Sequence, residues 1–278
     1  MVVAYHAADH IDRCLEALKA QAPVTVVDNS SSPEVAAVAT SHGVAYVDSG
    51  ANLGFAGGVN IGLGRLADRE GDVLLVNPDA VVRDGAVGEL ARFLQQPENA
   101  RVAAVSPRIL LPGKVEQRVL WPFPTPARMW AQAFGLWRLP ARRTFAIGAV
   151  LLLRREAIDE IGGFDERFFL YAEETDWQRR AHDRGWTSAL CPEAVAEHVG
   201  AATSPDTRQQ EVLHEAGQET YIRKWHGSAG WTSYRAAACL SAAVLALVIP
   251  SRRRRRTAAR RALIYLRGPK REAARLAR

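Results

Sequence analysis

The chain has 278 residues, 48% of them hydrophobic and 24% charged, with 3 cysteines and a formal net charge of +6. That composition is globular: it excludes a mostly disordered, collagen-like or polytopic membrane chain, and the length suits one large domain or two small ones. Cys14, Cys191 and Cys239 are scattered without a CxxC spacing, which argues against a disulfide scaffold or zinc–cysteine site and for a reducing compartment.

No basic leader or long apolar stretch opens the chain, so its body is expected in the cytoplasm. Residues 2–5 read as a strand. Residues 11–18 place apolar side chains at helical spacing, with Asp9 as the expected N-cap. A strand at 24–27 ends in Asp28-Asn29-Ser30. Residues 34–41 read as a helix, 45–48 as a strand and 58–67 as a helix. A strand at 73–76 ends in Asn77-Pro78-Asp79, and a helix at 85–94 and a strand at 102–106 follow. Strands alternating with helices predict βαβ units and a mostly parallel α/β sheet, whose ligands bind beyond the carboxyl ends of the strands. Asp28 and Asp79 stand just past two such ends.

Residues 112–144, where Pro112, Pro122, Pro124, Pro126 and Pro140 lie among aromatic residues, predict a long loop or lid. A strand is expected at 147–153, helices at 155–161 and 173–184, short strands at 189–192 and 195–198, and a helix at 206–226. Residues 236–250 form an uncharged apolar run, shorter than the about 20 residues of a spanning helix. Arginines 252–256 follow at once. Residues 251–278 carry twelve Lys/Arg against the single acid Glu272, which leaves residues 1–250 near −5. An acidic body with a basic tail sets nucleic acid aside as a partner. An apolar helix beside a basic cluster fits an anionic membrane interface. The other reading is a core or oligomer-interface helix with a solvated tail, and a homodimer stays among the expected partners.

Five stretches carry chemistry. In Val26-Val27-Asp28-Asn29-Ser30-Ser31 a carboxylate at a strand end can accept hydrogen bonds from a pyrimidine or ribose edge, although Asp and Asn also make turns. In Asn52-Leu53-Gly54-Phe55-Ala56-Gly57-Gly58-Val59-Asn60 the glycines allow close backbone approach and open a helix whose N-terminus favours phosphate. The spacing is neither that of a dinucleotide fingerprint nor that of a P-loop, and a glycine-rich turn is the plainer reading. Asn77-Pro78-Asp79-Ala80 delivers a carboxylate that can bind Mg²⁺ or Mn²⁺ beside substrate phosphates, or simply turns the chain. From Gly162 to Trp177 an aromatic run leads into Glu173, Glu174 and Asp176. These acids suit a helix dipole, and Asp176 can pair with Arg180, but acids beside an apolar wall also suit general-base work. His198, in Glu197-His198-Val199-Gly200, reads as structural or as a group that completes a metal or phosphate site.

In this order the five stretches resemble the inverting family 2 glycosyltransferases of the GT-A fold, over about residues 2–204. They are most similar to bacterial rhamnosyltransferases that extend lipid-linked cell-wall precursors. The resemblance implies a Rossmann-like, mostly parallel central sheet flanked by helices, with a catalytic domain at 1–205 and a helical, basic extension at 206–278. The nucleotide-binding half would span about 1–110 and the acceptor half about 111–205. Asp28 then falls on the acid that reads the donor's pyrimidine, and Tyr5, Asn52, Gly54, Phe55, Gly58, Asn60 and Asn77 line the nucleotide site. Asn77-Pro78-Asp79 stands where the family has its DxD, so Asp79 and His198 are the implied metal ligands, with Asn77 departing from the first acid. Gly148 and Ala149 resemble the acceptor-side turn. Glu174 falls on the catalytic base, an Asp in the family, with Glu173 and Asp176 beside it. His6 departs from the family's Asn.

The resemblance implies transfer of a sugar, best matched by L-rhamnose from dTDP-rhamnose, onto a polyprenyl-diphosphate-linked saccharide with inversion. The implied location is peripheral, on the inner face of the plasma membrane. Two alternatives stay open: another donor (UDP-galactofuranose or UDP-GlcNAc) with a soluble acceptor, and a non-catalytic nucleotide-sugar-binding protein.

Overall fold

The computed structural model describes residues 1–136, 140–198, 207–248 and 251–276. In chain order the elements are β1 (Val2–Ala4), α1 (Ala8–Lys19), β2 (Thr25–Asp28), α2 (Pro33–Ser41), β3 (Ala45–Asp48), α3 (Gly54–Arg65), β4 (Val73–Val76), β5 (Ala80–Val82) and α4 (Ala86–Gln95). They continue with β6 (Val102–Leu111), β7 (Val115–Gln117), β8 (Leu120–Pro122), α5 (Pro126–Ala133), β9 (Thr144–Ala146), β10 (Val150–Leu153) and α6 (Arg155–Ile161). Last come α7 (Glu173–Asp183), β11 (Thr187–His198), α8 (Thr207–Val248), α9 (Arg252–Arg267) and α10 (Pro269–Leu276).

The central sheet has the order β3-β2-β1-β4-β10-β6-β11-β5. Strands β3, β2, β1 and β4 are parallel, as short apolar strands joined by helical crossovers require. Beyond β4 the sheet is mixed: β10 runs antiparallel to both β4 and β6, and β11 is parallel to β6 but antiparallel to β5. Two apolar layers cover its faces. One joins Ile11, Leu15 and Leu18 of α1 and Leu90 and Leu94 of α4 to strand residues such as Val26 and Val150. The other joins Val59 and Leu63 of α3, Ile158 of α6 and Trp177 of α7 to Val27, Leu75 and Leu151. Helix α1 shows the cause: its buried residues Ile11, Cys14, Leu15 and Leu18 fall on one stripe at three- and four-residue spacing.

Contacts divide the chain into two compact units. The first comprises Met1–Pro122, Arg143–Phe169 and Glu173–Pro205 and holds the sheet. The second comprises Phe123–Arg142, Leu170–Ala172 and Asp206–Arg278. In it Trp231, Tyr234 and Tyr265 form a buried aromatic cluster with ring centroids 6.0–6.4 Å apart. Glu215 pairs with Arg261 at 2.7 Å and accepts a hydrogen bond from the Tyr265 hydroxyl.

Several expectations need correction. Asp9 is not the cap of α1: Ala7 holds that position without a side-chain bond, and Asp9 sits in the first turn, where it faces the helix dipole. Residues 112–144 are not one loop, because β7 and β8 form there and Thr125 caps α5 by accepting from the Arg128 N–H at 3.1 Å. The strand expected at 147–153 is shorter, β10 at Val150–Leu153; residues 147–149 turn the chain between it and β9, which leaves Gly148 in that turn. Residues 189–192 and 195–198 belong to one strand, β11, with a register shift between Cys191 and Val195. The helix expected at 206–226 runs on to Val248 with a break at Gly227, whose φ of 67° a glycine tolerates. Residue 206, Val199 and Gly200 of the His198 stretch, the 205/206 boundary and the last two residues of the 236–250 run lie outside the described residues. Among the described residues no helix is long and apolar enough to cross a membrane.

Candidate functional site

The parallel strands β1, β2 and β4 deliver Tyr5, Asp28 and Asn77 to one edge of the sheet, where an α/β sheet binds its ligands. Tyr5 is 46% exposed and its ring meets that of His6 edge-on at 4.5 Å. Asp28 is fully buried. Its Oδ1 accepts from the Ser30 N–H at 2.9 Å and from the Ser30 hydroxyl, and its Oδ2 accepts from the Ser32 N–H at 2.8 Å and from the Tyr46 hydroxyl at 3.0 Å. Those donors occupy both lone pairs of each oxygen and explain how a carboxylate is buried here. Burial and the Asp28 carboxylate together push the Tyr46 hydroxyl up to about 12. Next to it, Asn29 is also buried; its Nδ2 donates to the Gly54 carbonyl at 2.7 Å, while its Oδ1 has no hydrogen-bond partner among the described residues.

Helix α3 starts at Gly54, four residues earlier than expected. The Phe55 N–H donates to the Phe169 carbonyl at 2.8 Å, which caps the helix from outside. Gly54 has φ +73°, and a Cβ there would lie 2.2 Å from the Phe169 oxygen, so only glycine fits. Gly58 is needed for packing, since its Cβ would meet Val3 Cγ1 at 2.6 Å. Asn52 Oδ1 accepts from the Gly54 N–H at 3.1 Å. Asn60 binds both backbone groups of Phe164, accepting at 2.7 Å and donating at 2.9 Å, and also donates to Glu166. The stretches 52–60 and 162–169, distant in sequence, are thus one hydrogen-bonded assembly.

Beyond β4, the Asn77 N–H donates to the Ala149 carbonyl at 2.9 Å, and the Asn77 carbonyl accepts from Ala80 N–H at 3.0 Å. The turn of residues 77–80 is therefore bonded directly to the turn at Gly148-Ala149. Asp79 is 4% exposed and its Oδ1 lies 3.3 Å from His198 Nε2, because His198 of β11 pairs in register with Ala80 of β5. Burial pushes the Asp79 carboxyl up, but the His198 imidazole beside it outweighs burial and holds it below the usual range. His198 Nδ1 is buried without a hydrogen-bond partner among the described residues. Apart from His198, Asp79 Oδ1 also has no hydrogen-bond partner among the described residues, and that oxygen beside Nε2 fits one side of a divalent-cation site. No third His, Cys, Asp or Glu joins it among the described residues.

Glu173, Glu174 and Asp176 occupy the first turn of α7. Tyr171 and Ala172, just before it, both have φ 70°, a left-handed conformation that costs a non-glycine residue on the order of 1 kcal/mol or more. Glu173 is 5% exposed; burial, then the Glu174 charge, pushes its carboxyl well above the usual range. Glu174 is half-buried and lies against Gly148: a Cβ on that glycine would be 3.4 Å from Glu174 Cγ. Asp176 is fully buried and pairs with Arg180 at 3.1 Å. Arg180 in turn donates to the carbonyls of Ile161 and Gly163, so Asp176 belongs to an ion-paired brace of α7. The site therefore brings Gly148, Ala149, Asn77 and Glu174 together, and separately Asp79 with His198.

Sequence patterning missed Tyr46, which donates to Asp28, and Phe169, whose carbonyl accepts from Phe55. Tyr46 could have been found, as an inward tyrosine on the strand beside Asp28. Phe169 acts through its carbonyl, which no side-chain pattern reveals.

A family model described as "Glycosyltransferase like family 2" matches residues 1–215. The chain is 30% identical over 265 residues to the N-acetylglucosaminyl-diphospho-decaprenol L-rhamnosyltransferase of Mycobacterium tuberculosis, covering 83% of this chain and 85% of that one. It is 29% identical over 208 residues to the low-salt glycan biosynthesis hexosyltransferase Agl10 of Haloferax volcanii, covering 71% of this chain and 66% of the relative. Among solved structures it is similar to a mannosyltransferase from Pyrobaculum calidifontis in complex with GDP-Man and Mn²⁺ (TM-score 0.61, 16% identity, 98% and 85% of the two chains). It is also similar to glucosyl-3-phosphoglycerate synthase from Mycobacterium tuberculosis with Mn²⁺, UDP and phosphoglyceric acid (TM-score 0.56, 15% identity, 80% and 76%). The order of the five stretches, the mixed sheet with its shared strand edge and the match over residues 1–215 place the chain in the family 2 glycosyltransferases, with the GT-A fold.

Proposed function

We propose that this glycosyltransferase moves a hexosyl group, L-rhamnose from dTDP-rhamnose, onto a saccharide carried on polyprenyl diphosphate, with inversion. The observation that carries the chemistry is Glu174 lying over the Gly148-Ala149 turn, which is itself bonded to the Asn77–Asp79 turn. The sugar and acceptor rest on the 30% identity to the decaprenol-linked rhamnosyltransferase.

Glu174 accepts the proton of the attacking acceptor hydroxyl. The new bond joins that oxygen to the anomeric carbon from the face opposite the diphosphate. The carbon–oxygen bond to the nucleoside diphosphate breaks with its electron pair, and configuration inverts. A Mg²⁺ or Mn²⁺ held by Asp79 and His198 would neutralise charge on the leaving diphosphate, whose oxygens would complete the coordination. Asp28 fixes the 28–32 turn through its four donors and leaves the pyrimidine edge to be read around that turn. Asn29, with Oδ1 unsatisfied, stands beside it. Tyr5, Asn52, Gly54, Phe55, Gly58, Asn60 and Asn77 shape this nucleotide half, about residues 1–110. Glu173 sits behind Glu174 as a buried acid whose carboxyl is pushed well above the usual range by burial and the Glu174 charge. The acceptor half spans about 111–205, and residues 206–278 form the extension.

The 236–278 segment supports a reading of peripheral attachment to an anionic cytoplasmic membrane surface. Leu240, Val244, Leu245, Leu263 and Leu266 are each at least 40% exposed, and arginines 252–256 follow the 236–250 run in sequence.

The test is transfer from a panel of dTDP-rhamnose, UDP-galactofuranose, UDP-GlcNAc and GDP-mannose to a GlcNAc-diphospho-lipid with Mg²⁺ or Mn²⁺. Rhamnosyl transfer that Glu174→Gln slows about 100-fold or more, with dTDP binding retained, is the expected result. Transfer only from another donor overturns the sugar, and full turnover by Glu174→Gln overturns the base.

A further inference from the structure

We propose that Gln178 is a positioning residue for the transfer reaction, one that sets the distance between Glu174 and the Gly148 turn. The inference rests on the reading of Glu174 as the base. Gln178 lies one helical turn beyond Glu174 on α7 and has no exposed surface. Its carboxamide pairs with both backbone groups of Ala146: the Ala146 N–H donates to Oε1 at 2.7 Å, and Nε2 donates to the Ala146 carbonyl at 2.7 Å. The remaining Nε2 hydrogen is donated to the Glu174 carbonyl at 3.1 Å.

Those three bonds use both of the amide's donors and its oxygen. Ala146 is the last residue of β9, which Leu120 of β8 pairs in register. Gln178 takes part at the same residue as a neighbouring strand would, from a helix. Two residues further along the chain is Gly148, against which the Glu174 side chain lies. Ile147 N–H donates to the Val119 carbonyl at 3.0 Å and Ala149 accepts from Asn77, so the turn is held on its other sides too. One side chain therefore spans the gap between the helix turn that carries Glu174 and the strand that leads into the turn it faces.

The rest of α7 is held by other contacts. Trp177 is fully buried, stacks on Phe164 at 5.9 Å and donates Nε1–H to the Gly162 carbonyl at 2.8 Å. Arg180 braces Asp176, Ile161 and Gly163. Those contacts tie α7 to the 161–164 segment. The bonds of Gln178 tie it to the Gly148 side, so their loss leaves α7 in place and loosens the approach of Glu174.

Substitution discriminates between the chemical roles. Glu at 178 keeps the acceptor for the Ala146 N–H but turns an oxygen toward the Ala146 and Glu174 carbonyls. Leu keeps the bulk and strands both Ala146 groups without partners.

The experiment uses the full chain, with rhamnosyl transfer from dTDP-rhamnose to a GlcNAc-diphospho-lipid in Mn²⁺ and dTDP binding measured in parallel. Gln178→Glu and Gln178→Leu are made in the native chain and in the Glu174→Gln background. All are assayed at a temperature below the lowest Tm. In the native chain kcat falls about 10- to 100-fold while dTDP affinity stays within about twofold, the scale set by small misplacements of a reacting group. In the Glu174→Gln background, where slow residual transfer is followed over long incubation, the same substitutions cause no further loss. An equal proportional loss in both backgrounds, or native kcat in folded Gln178→Leu, overturns the proposal. Native-level turnover by Glu174→Gln alone overturns instead the reading of the base on which it rests.

Discussion

The Glu174 side chain lies against Gly148, with its Cγ 3.4 Å and its carboxyl carbon 3.8 Å from where a Cβ on that glycine would stand. Gly148 has no positive φ, so alanine there meets no backbone strain. A single methyl is at ordinary contact distance, whereas valine adds two carbons on the Glu174 side. Gly148→Ala is expected to keep kcat within about threefold, and Gly148→Val to lower it about 100-fold or more, with little change in Tm for either. Steady-state transfer beside thermal unfolding checks this; equal activity of the two variants would detach Glu174 from the Gly148 turn.

Glu173 makes stability depend on pH in a direction that can be worked out. Its folded pKa is raised by burial and by the Glu174 charge, so the native state keeps a proton that the unfolded chain releases near the ordinary glutamate value of about 4.3. Between that value and the raised one the native state binds more protons, and stability falls as pH rises. Glu173→Gln keeps the shape and removes the ionisation. Its Tm should match the native chain at pH 4 and exceed it increasingly toward pH 8; a constant difference across that range would show that Glu173 does not titrate this way.

Asp79 and His198 can be tested by nucleotide binding with and without metal. Asp79→Asn and His198→Ala should each weaken Mn²⁺-dependent dTDP binding at least about tenfold, about 1.4 kcal/mol, and leave metal-free binding nearly unchanged. Calorimetry with and without EDTA reads both. Equal losses in the two conditions would assign the pair a purely structural role.

The exposed apolar and basic surface of the C-terminal segment is best tested without truncation, because Ile264 and Tyr265 of α9 are buried and a deletion would strip a core. Replacing arginines 252–256 by serine, or Leu263 and Leu266 by serine, should release the protein from phosphatidylglycerol vesicles in a flotation assay. The arginine variant should also mimic the effect of high salt on the native chain. Unchanged flotation rules out membrane attachment through this surface, and a salt-independent dimer that does not float assigns it to a second copy.

Local pattern settled much of this chain. Residues 45–48, 73–76 and 155–161 form the elements that their apolar spacing predicts, with the same bounds; the last two bury their apolar residues, while 45–48 is a half-buried strand paired to β2. The ordered stretches around Asp28, Gly54, Asp79, Glu174 and His198 carried the family. What the sequence left open depends on partners far away along the chain. The start of α3 is decided by the Phe169 carbonyl, 114 positions beyond Phe55, which no side-chain pattern encodes. Asp176 reads locally like the other two acids of its turn, yet Arg180 claims it, while burial and the Glu174 charge push the Glu173 carboxyl well above its usual range. What holds the Gly148 turn, the Asn77 N–H on the Ala149 carbonyl and the Glu174 side chain over Gly148, became legible only in the folded chain. Periodicity reports which side of an element is buried; which carbonyl, glycine or carboxylate waits on that side is settled only by tertiary packing, because hydrogen bonds and desolvation act across space without regard to sequence distance.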